Sequence, residues 1–204
     1  MNEHDHKPRC LPRPMAAAVF LVAELLACGI VKGQPNGTPH LGEVPLGLDL
    51  FIPVPDDNPM TPAKIALGRK LFTERLLSRD LSLSCSSCHD PQRAFTDGKP
   101  VAVGVFGRRG TRSAPTLINR GYGTSFFWDG RTSSLEKQVV QPILDPKEMD
   151  MTLEEVVARL LTARDYPQLF QAAFGRQVNA EDLGRALASY VRTILSGNSA
   201  YDRL

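Results

Sequence analysis

With 24 basic and 22 acidic side chains among 204 residues, the chain carries a formal charge of +2, too balanced to imply nucleic acid or another polyelectrolyte as partner. The length allows one domain with extensions, and 42% hydrophobic residues is ordinary for a globular protein.

Lys7, Arg9 and Arg13 precede an apolar run from Met15 to Val31 that only Glu24 and small residues interrupt. A basic start, a short hydrophobic stretch and then small residues predict a bacterial export signal over 1–27. The run falls short of the roughly 20 continuous apolar residues of a membrane-spanning helix. Leu25-Leu26-Ala27-Cys28 also resembles a lipoprotein cleavage box, with Cys28 as the lipidated first residue; an ordinary cleaved signal is the alternative. The expected location is the periplasm, free or anchored through Cys28. Residues 28–50, rich in Pro and Gly and without a sustained period, read as a linker, leaving 51–204 as the folded domain.

Thr61 and Pro62 open the first predicted helix, a capping hydroxyl followed by proline at the first helical position. Ile65, Leu67, Leu71, Phe72 and Leu76 give it an apolar face. After a turn at Ser78-Arg79-Asp80 comes Cys85-Ser86-Ser87-Cys88-His89. Two cysteines three apart fit zinc or a redox dithiol as well as haem, but the histidine that follows favours covalent haem c. Each thiol can add to one haem vinyl group, and the adjacent imidazole can then bind the iron. Zinc needs about four ligands, and the other histidines, His4, His6 and His40, all lie near the amino end. With Cys10 leaving in the signal and Cys85 and Cys88 bonded to haem, no structural disulfide is expected.

Asp90 to Ser113 is a glycine-studded, basic loop containing Arg108, Arg109 and Arg112, with at most short strands around Val101–Val105. The arginines could meet haem propionates or solvent. Helices resume near Ser133 and run to Gln141, where Pro142 is expected to break them. Leu153–Thr162 is predicted as a helix with Thr152 as cap and Glu154 and Glu155 in its first turn. Tyr166–Phe174 is predicted to end at Gly175, and Asn179–Leu195 to start on the Asn179 cap with Gly197 beyond its end. The fold class expected is mainly α: a cytochrome c-like haem domain with long loops wrapped around a flat cofactor.

Several segments occur in a recognisable order: Leu67-Gly68-Arg69-Lys70-Leu71-Phe72, the CxxCH motif, Phe95-Thr96-Asp97-Gly98, Arg112-Ser113-Ala114-Pro115-Thr116, Phe127-Trp128-Asp129-Gly130-Arg131, Leu135-Glu136-Lys137-Gln138 and Glu148-Met149. In that order, from about Asp49 onward, the chain resembles the first domain of the bacterial di-haem cytochrome c peroxidases, a superfamily that includes the methylamine dehydrogenase maturation enzymes. The resemblance implies reduction of hydrogen peroxide to water with electrons from a small periplasmic donor such as a cytochrome c or a cupredoxin. It implies His89 as the proximal iron ligand and Glu136 as the distal carboxylate that moves a proton between the peroxide oxygens. Trp128 is expected to pack on the haem or its neighbours, and Arg131 to pair with Asp129 or a propionate.

Three departures from the family pattern alter the expectations. No histidine lies between Asp90 and Thr132, which predicts an open, five-coordinate or water-bound iron. Phe126 stands where the family often has a glutamine that hydrogen-bonds peroxide. Ser113 stands where an asparagine commonly helps hold calcium, which makes that ion doubtful. The sequence holds a single CxxCH, so the second haem domain is expected to be absent: either the chain is a truncated product, or a separate haem subunit or a second copy supplies that haem, or the single domain has its own use. Two other functions fit the same residues: a mono-haem electron carrier with Met149 or Met151 on the iron, or a haem-bearing subunit without peroxidase activity.

Overall fold

The computed structural model describes residues 42–204. The expected signal peptide, Cys28 and the linker up to residue 41 lie outside them. Among the described residues seven α-helices follow in chain order: α1 (Pro62–Phe72), α2 (Cys85–Cys88), α3 (Leu135–Gln138), α4 (Gln141–Leu144), α5 (Leu153–Thr162), α6 (Tyr166–Phe174) and α7 (Ala180–Val191). Among the described residues there is no strand. The expected strands near Val101–Val105 reduce to an isolated bridge between Val103 and Arg109.

Local chemistry explains most of these boundaries. Thr61 Oγ1 accepts from the Lys64 N–H at 3.3 Å, and Pro62 occupies the first turn of α1, where its missing donor is not needed. Leu67, Leu71 and Phe72 face the core. Leu76 does not belong to that helix: the chain leaves it at Thr73, and a 3-10 turn over Arg75–Leu77 sends Leu77 inward instead. Thr152 and Glu155 form a reciprocal capping box on α5, at 3.2 and 2.9 Å. Gly175, at φ +70°, supplies the left-handed residue that ends α6.

Two sequence expectations fail for physical reasons. Pro142 does not break a helix; α3 has already ended, and Pro142 sits in the first turn of α4, which it helps to start. The last helix stops at Val191 rather than Leu195. There Asn119 captures the chain: its N–H donates to the Ile194 carbonyl at 2.9 Å, and its side chain makes two 2.9 Å bonds to the Ser196 backbone.

The core forms where α1 and α7 cross, with α5 and α6 packed alongside. At the crossing, a Cβ on Gly68 would stand 2.0 Å from the Ala186 carbonyl oxygen, so only glycine permits the approach. Among the described residues no helix is long and apolar enough to cross a membrane.

Candidate functional site

The single turn of α2 places Cys85 and Cys88, three residues apart, on one side of the chain. Ser84 fixes its start, donating its N–H to Ser87 Oγ at 3.0 Å while its hydroxyl lies 2.8 Å from that of Ser86. His89 closes the turn, its N–H donating to the Cys85 carbonyl at 2.9 Å. The loop then folds back through Ala94 and Phe95, both at positive φ, and through a bridge between Asp90 and Thr96. That fold delivers the Phe95 carbonyl to His89 Nδ1 at 3.0 Å. A carbonyl only accepts, so Nδ1 carries the proton and Nε2 keeps its lone pair. Burial lowers the imidazole's pKa, with the Phe95 and Pro115 carbonyls and Asp97 opposing. The outcome favours the neutral ring, the form that binds metal.

Beside the motif lies a cavity of about 70 Å³ that is partly open to solvent. Cys85, Cys88 and His89 form one wall, Phe72 of α1 and Leu187 and Val191 of α7 another, and Leu117, Val139, Pro142 and Met149 complete the apolar lining. Burial pushes the Cys85 thiol up to about 12 and the Cys88 thiol up to about 11. Thiols so raised are poor redox nucleophiles at neutral pH. No group of three or more His, Cys, Asp or Glu side chains among the described residues could hold a metal ion, which weighs against zinc. Haem c fits the donor set: two thiols for thioether bonds, one free imidazole nitrogen, and an apolar slot for the porphyrin faces.

Residues 62–204 match the family model for di-haem cytochrome c peroxidase. The chain belongs to that family. It is 43% identical over 154 residues to the methylamine utilization protein MauG of Methylorubrum extorquens, covering 74% of this chain and 44% of that protein. It is 32% identical over 162 residues to the cytochrome c551 peroxidase of Pseudomonas aeruginosa, covering 75% and 47%. Among solved structures, a MauG-like protein associated with microbial copper homeostasis superposes with a TM-score of 0.70 at 36% identity, covering 77% of this chain and 48% of that one. The mainly α, cytochrome c-like fold is therefore shared. The chain spans less than half the length of these relatives.

The remaining residues singled out by the family pattern fall in different places. Glu136 starts α3 but does not line the cavity. Its carboxylate accepts from Arg192 at 2.6 and 3.2 Å, Asn58 at 3.0 Å and Ser134 at 3.2 Å. Burial alone would raise its pKa; the Arg192 hydrogen bond and charge, with Asn58, outweigh that and hold it below the usual value. Trp128 does not pack over the cavity. The turn around Phe127 and Gly130, both at positive φ, leaves it 62% exposed, with Nε1 donating to the Ser113 carbonyl at 3.1 Å. Arg131 does pair with Asp129, at 2.9 and 3.0 Å, and stacks on the Phe127 ring at 3.4 Å.

Of the basic loop, Arg108 is bound to the Pro146 carbonyl and Asp150, and Arg112 reaches Asp129 at 3.4 Å. Phe126 is buried in the core, as is Met151, whereas the buried Met149 lines the cavity. Two acids escaped the sequence reading. Glu148 is the cavity's own carboxylate, raised chiefly by burial, with Asp145 adding and Arg131 opposing. Asp97 is buried with an oxygen that finds no donor. The family pattern points to both positions, in Glu148-Met149 and Phe95-Thr96-Asp97-Gly98, but periodicity does not separate such acids from solvated ones.

Proposed function

We propose that this chain holds one haem c, bonded through Cys85 and Cys88 with His89 on the iron, and reduces hydrogen peroxide in the periplasm. The reaction consumes H2O2, two protons and two electrons and yields two waters. The electrons come from a small donor protein such as a cytochrome c or a cupredoxin. Two thiols and a free imidazole nitrogen on the wall of one apolar cavity carry this reading. Haem supplies the redox and Lewis-acid chemistry for cleaving the O–O bond. The Phe95 carbonyl fixes the His89 tautomer, and the Leu117, Val139, Leu187 and Val191 side chains keep bulk water from the cofactor faces.

Glu148, the carboxylate on the cavity wall, is assigned as the proton carrier in place of the expected Glu136, which is held by Arg192 away from the cavity; it takes a proton from one peroxide oxygen and returns it to the departing one. The short helix α3 supplies Gln138 to the same cavity wall, with Val139 just beyond its end. A second haem, from a further domain, a separate subunit or a second copy, would complete the electron reservoir. Calcium is left out of the assignment, since Ser113 stands where the family commonly has an asparagine ligand. Lipidation at Cys28 would tether the enzyme to the membrane without changing its chemistry.

Met149 favours a second reading, because its side chain lines the same cavity. A thioether on the iron would close the open position and make the domain an electron carrier. The ferric absorption spectrum separates the two. A high-spin spectrum that shifts on adding cyanide or peroxide supports peroxide reduction; a low-spin spectrum with a sulfur-to-iron band supports the carrier. Glu148→Ala should abolish peroxide turnover while haem attachment persists, and unchanged turnover would remove Glu148 from the assignment.

A further inference from the structure

Three methionines are buried among the described residues: Met60, Met149 and Met151, at 4%, 5% and 3% exposed. Burial does not separate them, but position does. Met149 lines the cavity beside Cys85, Cys88 and His89, whereas Met60 and Met151 do not. Backbone contacts hold Met149 there from both sides. Its N–H donates to the carbonyl of Pro142, itself a cavity residue, at 3.1 Å, and its carbonyl accepts from the Arg79 N–H at 2.9 Å. Arg79 is anchored in turn by the Glu155 carboxylate at 2.6 and 2.9 Å. In an extended chain, residues two apart share a face. Asp150, at φ +54°, breaks that alternation, so Met151 does not follow Met149 to the wall.

We propose that Met149 is a modification site, a thioether that hydrogen peroxide entering the cavity oxidises to the sulfoxide in preference to Met60 and Met151. The inference rests on the part of the proposed function that brings peroxide to this cavity, not on its reduction there. The step balances without a further reagent. A sulfur lone pair attacks one peroxide oxygen, the S–O bond forms and the O–O bond breaks. Sulfur is oxidised by two electrons, and the departing oxygen takes the proton shed by the transferred one and leaves as water. Glu148, the preceding residue and the carboxylate on the same wall, is placed to pass that proton. Oxidation turns a soft apolar side chain into a polar, chiral one that disrupts apolar packing. Here the new dipole would stand among Leu117, Val139, Leu187 and Val191. Peroxide supplied without an electron donor would therefore shut the site progressively, by loosening the wall that encloses the cofactor.

The test gives the haem-loaded protein hydrogen peroxide in steps without an electron donor, quenches with catalase and digests with trypsin. Each sulfoxide adds the mass of one oxygen, and fragment ions separate Met149 from Met151 on their shared peptide, 148–159. Met149 should oxidise about tenfold faster than Met60 and Met151, and cyanide bound at the iron should slow it toward their rate. Met149→Leu keeps the volume but removes the sulfur. Measured against its own starting rate, that variant should keep its peroxide turnover through more peroxide steps than the wild type. Equal oxidation of the three methionines overturns the inference, as does a low-spin protein whose Met149 is shielded on the iron. Selective oxidation of Met149 in protein that shows no peroxide turnover would uphold the inference and defeat the proposed function. Sustained turnover with Met149 intact would do the reverse.

Discussion

Replacing Arg192 by leucine should expose how strongly the Glu136 carboxylate depends on one buried partner. Arg192 is 4% exposed and the Glu136 side chain 17%, and the two meet through a pair of charge-assisted bonds at 2.6 and 3.2 Å. Removing one member of a buried ion pair costs about 3–5 kcal/mol, because the other charge stays behind unpaired. Asn58 and Ser134 still donate to the carboxylate, which points to the lower end; the lost bond from Arg192 Nε to the Pro53 carbonyl adds to the cost. A loss of about 3 kcal/mol lowers the urea midpoint by roughly 1–3 M at an unchanged slope of about 1–3 kcal/mol/M.

The assay is urea unfolding of the haem-loaded protein, followed by circular dichroism. Glu136→Leu in the Arg192→Leu background should recover most of the loss, since both charges are then gone and Asn58 keeps its bond to the Arg185 carbonyl. The pH dependence has a defined sign. Glu136 is held below its ordinary value, so its stabilisation is full above the unfolded value of about 4.3. It is lost as pH falls through the lower folded value, and Arg192→Leu should remove that component. A loss below about 1 kcal/mol, the level of an exposed pair, would refute the buried-pair account.

Two further expectations follow from the packing and the caps. Gly68→Ala places a methyl group against the Ala186 carbonyl, so α1 and α7 must part; the cost is about 2 kcal/mol and the melting temperature should fall by about 4–8 °C. An unchanged melting temperature would mean that the helices do not cross there. The Glu155 carboxyl, bound by Arg79 at 2.6 and 2.9 Å and by the Thr152 N–H, should titrate at about 2 when followed by its carboxyl carbon shift. The stabilisation it carries is present above about 4.3 and lost as pH falls toward 2; a midpoint near 4.3 would contradict the bidentate contact.

Local signals in the sequence were enough for the helix ends that local chemistry determines. Thr152 with Glu155, Gly175 and Asn179 each bound a helix where a cap or a left-handed residue is required. The CxxCH spacing likewise pointed to a segment whose Cys85, Cys88 and His89 the structure places on one cavity wall. Long-range partners were not legible. The end of α7 is set by Asn119, over 70 residues earlier, and Glu136 is claimed by Arg192, 56 residues away. Trp128 is expected against the haem or its neighbours, yet the tight turn that carries it leaves the indole exposed. Nor does composition distinguish Asp97 and Glu148 from exposed acids, because their burial is produced by loops that pack only after the motif has folded.

Mass spectrometry of peptides from protein exported alongside the haem-attachment machinery addresses the assignment of Cys85, Cys88 and His89 most directly. One haem mass should reside on the peptide spanning 85–89, with neither thiol open to alkylation. Unmodified, alkylatable Cys85 and Cys88 in protein lacking a Soret band would contradict it.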